Sequence, residues 1–184
     1  QVFAWQGRFP SDPRLRVSVN VSSRQLLQKG FVDQLQGVLG NTGLDPRDLT
    51  LDVTEGAILQ NIKATASVLH KVRALAVQLH LDNFGSDCSC LGPLQQVPAA
   101  SLKLDRAFVG RMQSASDEEV EVVRTVIRLA RSLGMTVSAE GLETEDQLAR
   151  VRALDCGTVQ GFFFSGPLDA AAAEAVLARG GRLE

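Results

Sequence analysis

The sequence contains few cysteines and no excess of basic residues. Its three cysteines, Cys88, Cys90 and Cys156, form no CxxC pair. This argues against a disulfide framework and a zinc knuckle, and it favours a reduced, cytoplasmic setting. The formal net charge is -2, with Lys and Arg spread along the chain. The sequence therefore offers no basic stripe for a nucleic acid polymer or an anionic membrane, whereas a small anionic ligand remains compatible with it.

Long hydrophobic runs are also missing. No apolar run approaches the ~20 residues of a membrane span, and no signal peptide is recognisable, so we expect no membrane contact by this domain. With 45% hydrophobic and 22% charged residues over 184 positions, the chain has the composition of a globular protein with a sizeable core. We expect a single domain over residues 1–184, in the cytoplasm or as the cytoplasmic part of a membrane-anchored protein.

Strand-like segments alternate with helical patterns along the whole chain, which is typical of a βα series. The predicted strands are residues 16–21, 49–54, 77–82, 101–105, 136–140 and 158–163. Two helices show capping-box spacing at their start and a glycine where they should stop. These are Ser116 with Glu119 before Gly134, and Thr144 with Gln147 before Gly157. Their core-facing residues are predicted to be Val122, Val123, Val126, Ile127, Ala130, Leu148, Val151 and Leu154.

Alternation along the strands gives them two faces of different character. The apolar face comprises Val17, Val19, Leu49, Leu51, Val53, Leu79, Leu81, Leu102, Leu104, Val137, Ala139 and Val159. The polar face comprises Ser18, Asn20, Thr50, Asp52, His80, Asp82, Ser101, Lys103, Asp105, Ser138, Glu140, Thr158 and Gln160. An open sheet between two helical layers needs apolar residues on both faces, whereas a barrel with helices outside needs them on one. The pattern predicts a barrel with a polar lumen, in which His80 lies one layer beneath Asp82.

The largest polar group of each strand lies at or near its C-terminal end. In (β/α)8 barrels these ends form the active site from several strands at once. The residues predicted to ring this mouth are Asn20, Asp52, Asp82, Lys103, Glu140 and Gln160. Any one of them could be an isolated, satisfied polar residue, but six in phase favour a functional site.

The barrel is expected to be incomplete. A (β/α)8 TIM-barrel-like fold has eight strands and ~250 residues, and six of the eight βα units are recognisable here. We expect the N-terminal strands to belong to a longer parent protein with further domains, or another chain to cover the gap. The six strands alone should not close a ring.

Six segments, taken in order, resemble the motifs of the EAL-domain family. They are VSVNVSSRQL, LDVTE (family E-x-T-E), LDNFGSDCSCL (D-D-F-G-T-G-Y-S-S-L), LKLDRAFV (K-I-D-x-x-F-V), SAEGLET (A-E-G-V-E-T) and VQGFFFSGPL (Q-G-Y-x-F-x-x-P-L). Members of this family are bacterial proteins that bind cyclic di-GMP and in many cases hydrolyse it with two divalent metal ions, on a modified barrel. The resemblance covers nearly the whole chain.

The resemblance implies roles for individual residues. Oxygen ligands of Mg²⁺ or Mn²⁺ would come from carboxylates and amides, which suit hard cations. The implied metal ligands are Asn20, Asp52, Asp82 and Asn83, with Glu140. The implied catalytic residues are Lys103, Glu140 and Asp105, where Lys103 steadies the phosphate or the attacking water. The residues implied to bind or support the ligand are Gln160, Gly161 and Glu143, and Glu55 would support the D-D-F-G loop.

Four departures from the family pattern bear on catalysis. The strand with the glutamate of the family's name is absent. Asp52 replaces a glutamate, which shortens its reach by roughly 1.5 Å. Asn83 replaces the second aspartate and brings no charge to a two-metal site. The loop GSDCSC replaces GTGYSS, with Asp87 in place of glycine and Cys88 in place of tyrosine. We therefore expect one weakly bound Mg²⁺ or Mn²⁺ ion rather than a full two-metal site.

Three hypotheses remain open at this point. The first is a regulatory module that senses cyclic di-GMP, with little or no hydrolysis, working as a homodimer or with other signalling domains. The second is an active phosphodiesterase that releases the linear dinucleotide. The third uses the fold alone and makes Lys103 a Schiff-base or proton-abstracting lysine of an aldolase-like or enolase-like enzyme.

Overall fold

The computed structural model of the chain describes residues 1–84, 96–114 and 117–181. Its strands are β1 (Val17–Val21), β2 (Leu49–Thr54), β3 (Gln78–Phe84), β4 (Ser101–Leu104), β5 (Thr136–Ala139) and β6 (Thr158–Val159). Its helices are α1 (Val2–Arg8), α2 (Ser23–Leu26), α3 (Phe31–Thr42), α4 (Glu55–Leu59), α5 (Ile62–Ala74), α6 (Arg106–Ser114), α7 (Asp117–Ser132), α8 (Glu145–Ala153) and α9 (Ala170–Ala178). A short 3-10 turn, Pro46–Asp48, precedes β2.

The strands form one six-stranded sheet in the order of the sequence, and neighbouring strands are parallel throughout. The sheet curls into half of a barrel, which confirms the predicted partial TIM-barrel-like fold. Within the described residues β1 and β6 are the outer strands, so the ring stays open as predicted. In the same part of the chain, no helix has the length and apolar character needed to cross a bilayer.

The apolar face of the sheet packs against the helices, as alternation predicted. Its buried members are Leu49, Leu51, Val53, Leu79, Leu81, Leu102, Leu104, Val137 and Ala139. Val19 is an exception at 44% exposure, because β1 is an outer strand of the sheet. On α7, Val123 and Ile127 are buried, but Val122 is 57% exposed. Val122 and Ile127 lie at opposite edges of the apolar stripe of α7, and the edge with Val122 is exposed. The assignment of Val122 to the core was therefore wrong.

The predicted start and stop signals of helices α7 and α8 are confirmed in part. Thr144 and Gln147 form the predicted capping box, in which the Gln147 amide donates to Thr144 Oγ1 at 3.3 Å. The left-handed residue after α8 is Asp155, with φ 60°, rather than the predicted Gly157. Gly134 has φ 76° after α7, as a helix stop requires. Ser116 lies outside the described residues.

The last strand is shorter than predicted. Residues 158–163 were expected to be extended, but β6 ends at Val159. Beyond it the chain bonds to a loop instead of to a strand, because the Leu142 amide donates to Gln160 O and the Phe163 amide donates to Leu142 O. This exchange places Gly161 directly against the Leu142 backbone, where a Cβ would lie 2.1 Å from Leu142 O.

Gly161→Ala should therefore lower the free energy of unfolding by about 3 kcal/mol, because the obstructing atoms are backbone and have little room to move. Denaturant unfolding followed by circular dichroism measures the change. Gly40→Ala is the matched control, since a Cβ there meets no atom within 4 Å on helix α3. That control should gain up to ~1 kcal/mol. Equal stability of Gly161→Ala and the unaltered chain would contradict the packing described.

Candidate functional site

The C-terminal ends of the parallel strands meet at one edge of the sheet, and the predicted mouth residues lie there. Asn20, Asp52, Asp82 and Lys103 belong to β1, β2, β3 and β4 in turn. Two further predicted residues, Glu140 and Gln160, directly follow β5 and β6.

Strand register sets these groups at different depths. Asp52 pairs with Asn20 on one side and His80 on the other, whereas Asp82 pairs with Thr54. Asp52 therefore lies two residues deeper along the sheet than Asp82, which is one step on the inward face. Groups from such different levels meet only if a long side chain reaches between them.

The side chain that brings them together is Lys103. Its Nζ lies 2.8 Å from Asp52 Oδ2 and 3.5 Å from Asp82 Oδ1, and it also forms an ion pair with Glu140. Burial by itself would lower the pKa of Lys103, but its hydrogen bonds to Asp52 and Glu140 outweigh burial and raise the pKa above its ordinary value. The amine therefore stays protonated across the physiological pH range. We call Lys103, Asp52, Asp82 and Glu140 the Lys103 cluster.

Asp52 is the most deeply placed carboxylate of the cluster, at 4% exposure. Its Oδ1 accepts a hydrogen bond from Ser18 Oγ at 2.7 Å and lies 3.5 Å from His80 Nδ1. These contacts confirm that His80 faces the lumen and has a polar neighbour there. Burial lowers the pKa of His80, and although Asp52 opposes this effect, the net shift remains downward.

The lowered pKa of His80 gives a prediction for acid stability. The folded state favours the neutral imidazole, whereas the unfolded chain takes up the proton near pH 6.5. The stability contributed by His80 is therefore complete at neutral pH and is lost as the pH falls through and below 6.5. His80→Gln should lose less unfolding free energy between neutral pH and mildly acidic pH than the unaltered chain does. His80→Asn should show the same reduced loss as His80→Gln; a slope in either variant equal to that of the unaltered chain would refute the prediction.

The junction that carries Asp82 and Asn83 is a bulge in β3. The pairing of β3 with β4 shifts by one residue between Leu81 and Phe84. Asn83 takes up this shift with φ 55°, a left-handed conformation that asparagine tolerates better than most residues. Its backbone amide donates to Asp82 Oδ1 at 3.0 Å. The bulge therefore holds the acid and the amide at the mouth as one unit.

Two clefts open on either side of the Lys103 cluster. The first has a volume of about 580 Å³, and its lining includes Asn20, Asp52, Asp82 and Asn83. The second, of about 350 Å³, is lined by residues that include Glu140, Glu143, Gln160, Gly161 and Phe162. The predicted metal ligands thus share one cleft and the predicted ligand-binding residues share the other, with Glu140 reaching Lys103 between them.

Two predicted residues have other surroundings. Asp105 accepts a hydrogen bond from the Ala107 amide at 2.7 Å and so caps α6, beside a further cleft of about 480 Å³. Glu55 is buried as the first residue of α4. The loop that Glu55 was predicted to support, with Asp87 and Cys88, lies outside the described residues.

Sequence reasoning missed three residues of this region. Ser18 was recognised as inward-facing but not as a partner of Asp52, because alternation along the strand does not distinguish it from the other inward-facing serines. Arg106 and Phe162 line the second cleft. Each directly follows a predicted site residue, Asp105 and Gly161 respectively, which could have drawn attention to it.

The donor chemistry of the first cleft fits a hard divalent cation, because Asn20, Asp52 and Asp82 offer only oxygen ligands there. Among the described residues, no three His, Cys, Asp or Glu side chains have the spacing of a ready metal centre. The carboxylates of the cluster converge on the Lys103 ammonium instead.

Comparisons with known proteins agree with this architecture. The cyclic di-GMP phosphodiesterase NbdA of Pseudomonas aeruginosa is 40% identical over 164 residues, which cover 89% of this chain and 21% of NbdA. The chain spans about a fifth of the length of the curated relatives it first matches. The crystal structure of the EAL domain of Mycobacterium smegmatis DcpA superposes with a TM-score of 0.89 at 32% identity, covering 100% of this chain and 81% of that one.

A second solved structure contains ligands. Klebsiella pneumoniae BlrP1, in its calcium and cyclic di-GMP complex, has a TM-score of 0.78 and 29% identity, covering 90% of this chain and 42% of that one. Further BlrP1 structures contain manganese with the same nucleotide. The EAL domain model matches residues 1–167 of this sequence. The chain therefore belongs to the EAL domain family.

Proposed function

We propose that this chain is a cyclic di-GMP-binding EAL domain that senses the nucleotide and hydrolyses it slowly or not at all. The observation that carries the proposal is the Lys103 cluster at the mouth, between the two clefts. It combines a protonated amine, which donates to phosphate oxygens, with oxygen ligands for a divalent ion.

The charge of the cluster indicates why a metal ion belongs to the function. Three carboxylates face one ammonium, so the cluster by itself repels a phosphodiester. Asn20, Asp52, Asp82 and Glu140 would hold Mg²⁺ or Mn²⁺, with Asn83 as a weaker donor. When bound, such an ion neutralises phosphate oxygens and lowers the pKa of a water molecule.

The remaining residues bind and orient the nucleotide in this proposal. Lys103 donates hydrogen bonds to a phosphate oxygen once the cation has offset its carboxylate partners. Glu143, Gln160 and Gly161 face the second cleft, which is large enough for one nucleoside. Phe162 on the same wall is 64% exposed and presents an aromatic surface to a base.

Weak hydrolysis follows from Asn83. Two cations held ~3.5–4 Å apart repel each other strongly unless carboxylates between them offset the repulsion. An amide oxygen at position 83 coordinates a cation but adds no negative charge. We propose that the site binds one divalent ion and that its affinity for a second ion is too low for a two-metal site to form.

An active phosphodiesterase is the second candidate. It is favoured by the ion pair of Lys103 with Glu140, which are two of the three implied catalytic residues, and by the similarity to NbdA, a cyclic di-GMP phosphodiesterase. A Schiff-base role for Lys103 has no such support, because a nucleophilic lysine needs a neutral amine. The raised pKa of Lys103 keeps that amine charged.

Calorimetry with cyclic di-GMP tests the proposal, followed by a turnover assay with Mg²⁺ and Mn²⁺. We expect micromolar binding that requires a divalent ion, with Ca²⁺ sufficient, and little or no linear dinucleotide. Failure to bind at micromolar nucleotide in the presence of Ca²⁺ would refute sensing. Turnover at ~1 s⁻¹ or above would favour the active enzyme instead.

A further inference from the structure

The carboxylate of Asp52 is held by hydrogen bonds to both of its oxygens. Oδ1 accepts from Ser18 Oγ on β1 at 2.7 Å, and Oδ2 accepts from Lys103 Nζ on β4 at 2.8 Å. His80 on β3 lies against the same oxygen as Ser18 does, with Nδ1 at 3.5 Å. One buried side chain on β2 therefore contacts polar groups on three other strands, β1, β3 and β4.

Ser18 fixes the rotation of this carboxylate. The terminal torsion of an aspartate has a broad minimum, so one hydrogen bond to Lys103 leaves the carboxylate free to turn. The second bond, on the opposite oxygen, removes this freedom and is strong because the acceptor is charged.

We propose that Ser18 is a positioning residue, which acts through Asp52 to hold the Lys103 ammonium at the mouth of the half-barrel. The inference that this serves phosphate binding rests on the proposed function. The contact itself does not, so the two are tested by separate measurements.

The first measurement is the rate of acylation at Lys103, read by mass spectrometry with an amine-reactive acetylating reagent. The chain has four lysines, and Lys63 and Lys71 on α5 serve as internal references. Lys103 reacts only while its amine is released from its carboxylate partners. Ser18→Ala should raise its relative rate about tenfold, whereas Ser18→Thr, which keeps the hydroxyl, should stay near the unaltered rate.

Ser101→Ala is the matched control. Ser101 is also a serine on the inward face, but its hydroxyl donates to Thr136 O at 3.2 Å and not to Asp52. This control should leave Lys103 acylation unchanged. In an Asp52→Asn background, Ser18→Ala should add no further increase, because both changes act on one contact. An unchanged rate in Ser18→Ala, or an undiminished effect in the Asp52→Asn background, would overturn the inference.

The second measurement is calorimetry with cyclic di-GMP and Ca²⁺. If the unaltered chain binds, Ser18→Ala should weaken the affinity severalfold and Ser18→Thr should restore it. Binding that is equal in Ser18→Ala and the unaltered chain would overturn the link from positioning to phosphate binding. If the unaltered chain does not bind, the proposed function fails, and the acylation rates still decide whether Ser18 positions Lys103.

Discussion

Lys103→Ala should weaken the affinity for cyclic di-GMP by about a hundredfold and strengthen the affinity for Ca²⁺ by about tenfold. The two changes have opposite signs because, in the part of the chain that the structure describes, Lys103 is the ammonium that pairs with Asp52, Asp82 and Glu140 together. Its removal takes one positive charge from these three carboxylates, which then attract a divalent ion more strongly. The phosphate loses its hydrogen-bond donor at the same time. Calorimetry with each ligand, the nucleotide being titrated at saturating Ca²⁺, measures both affinities.

Lys71→Ala provides the control for this prediction. It removes the same charge from an exposed position in the last turn of α5, at the opposite end of that helix from Gln60, which lines the first cleft, and both affinities should stay within twofold of the unaltered chain. The opposite signs also exclude unfolding as the explanation, since an unfolded chain would lose both affinities together. If Lys103→Ala weakens Ca²⁺ binding as much as nucleotide binding, the ammonium does not compete with the metal ion for these carboxylates.

The inward face of the sheet was predictable from the sequence because side chains alternate along a strand regardless of tertiary context. His80 shows this, since parity with Asp82 placed it in the lumen. The end of β6 was not predictable in the same way. Residues after Val159 keep strand-like composition but bond to Leu142, a residue near in space and distant in the sequence. The prediction that Val122 faces the core was wrong for a related reason, because the width of the buried stripe of a helix depends on the surface against which the helix packs.

The sequence was sufficient to predict which residues lie at the mouth of the half-barrel, but not which of them contact each other. The motifs identified Asp52, Asp82, Lys103 and Glu140, yet the register between strands decides which of them meet. Asp52 lies deeper than Asp82, and only the length of the Lys103 side chain connects them. Ser18 could not be distinguished from other inward serines, since its role depends on a single rotamer toward β2. The bulge at Asn83 likewise arises from pairing with β4 rather than from local preference.

Asn83→Asp should raise cyclic di-GMP hydrolysis by about a hundredfold in the presence of Mn²⁺, because it returns the negative charge that a second cation needs. The backbone permits this change at little cost, since aspartate also adopts the left-handed conformation found at φ 55°. Asp52→Glu should restore less activity. Asp52 is buried and bonded through both oxygens, so an added methylene must disturb Ser18 or Lys103 as it extends toward the metal.

The two substitutions together should give more activity than the product of their separate effects, since both supply one metal cluster. Single-turnover assays with excess protein distinguish this gain from faster product release. Glu140→Gln in the double variant should abolish the restored activity while circular dichroism remains unchanged, which separates recovered catalysis from contamination. If Asp52→Glu alone restores more hydrolysis than Asn83→Asp does, then the length of the carboxylate arm at position 52, and not the missing charge at position 83, limits catalysis in this domain.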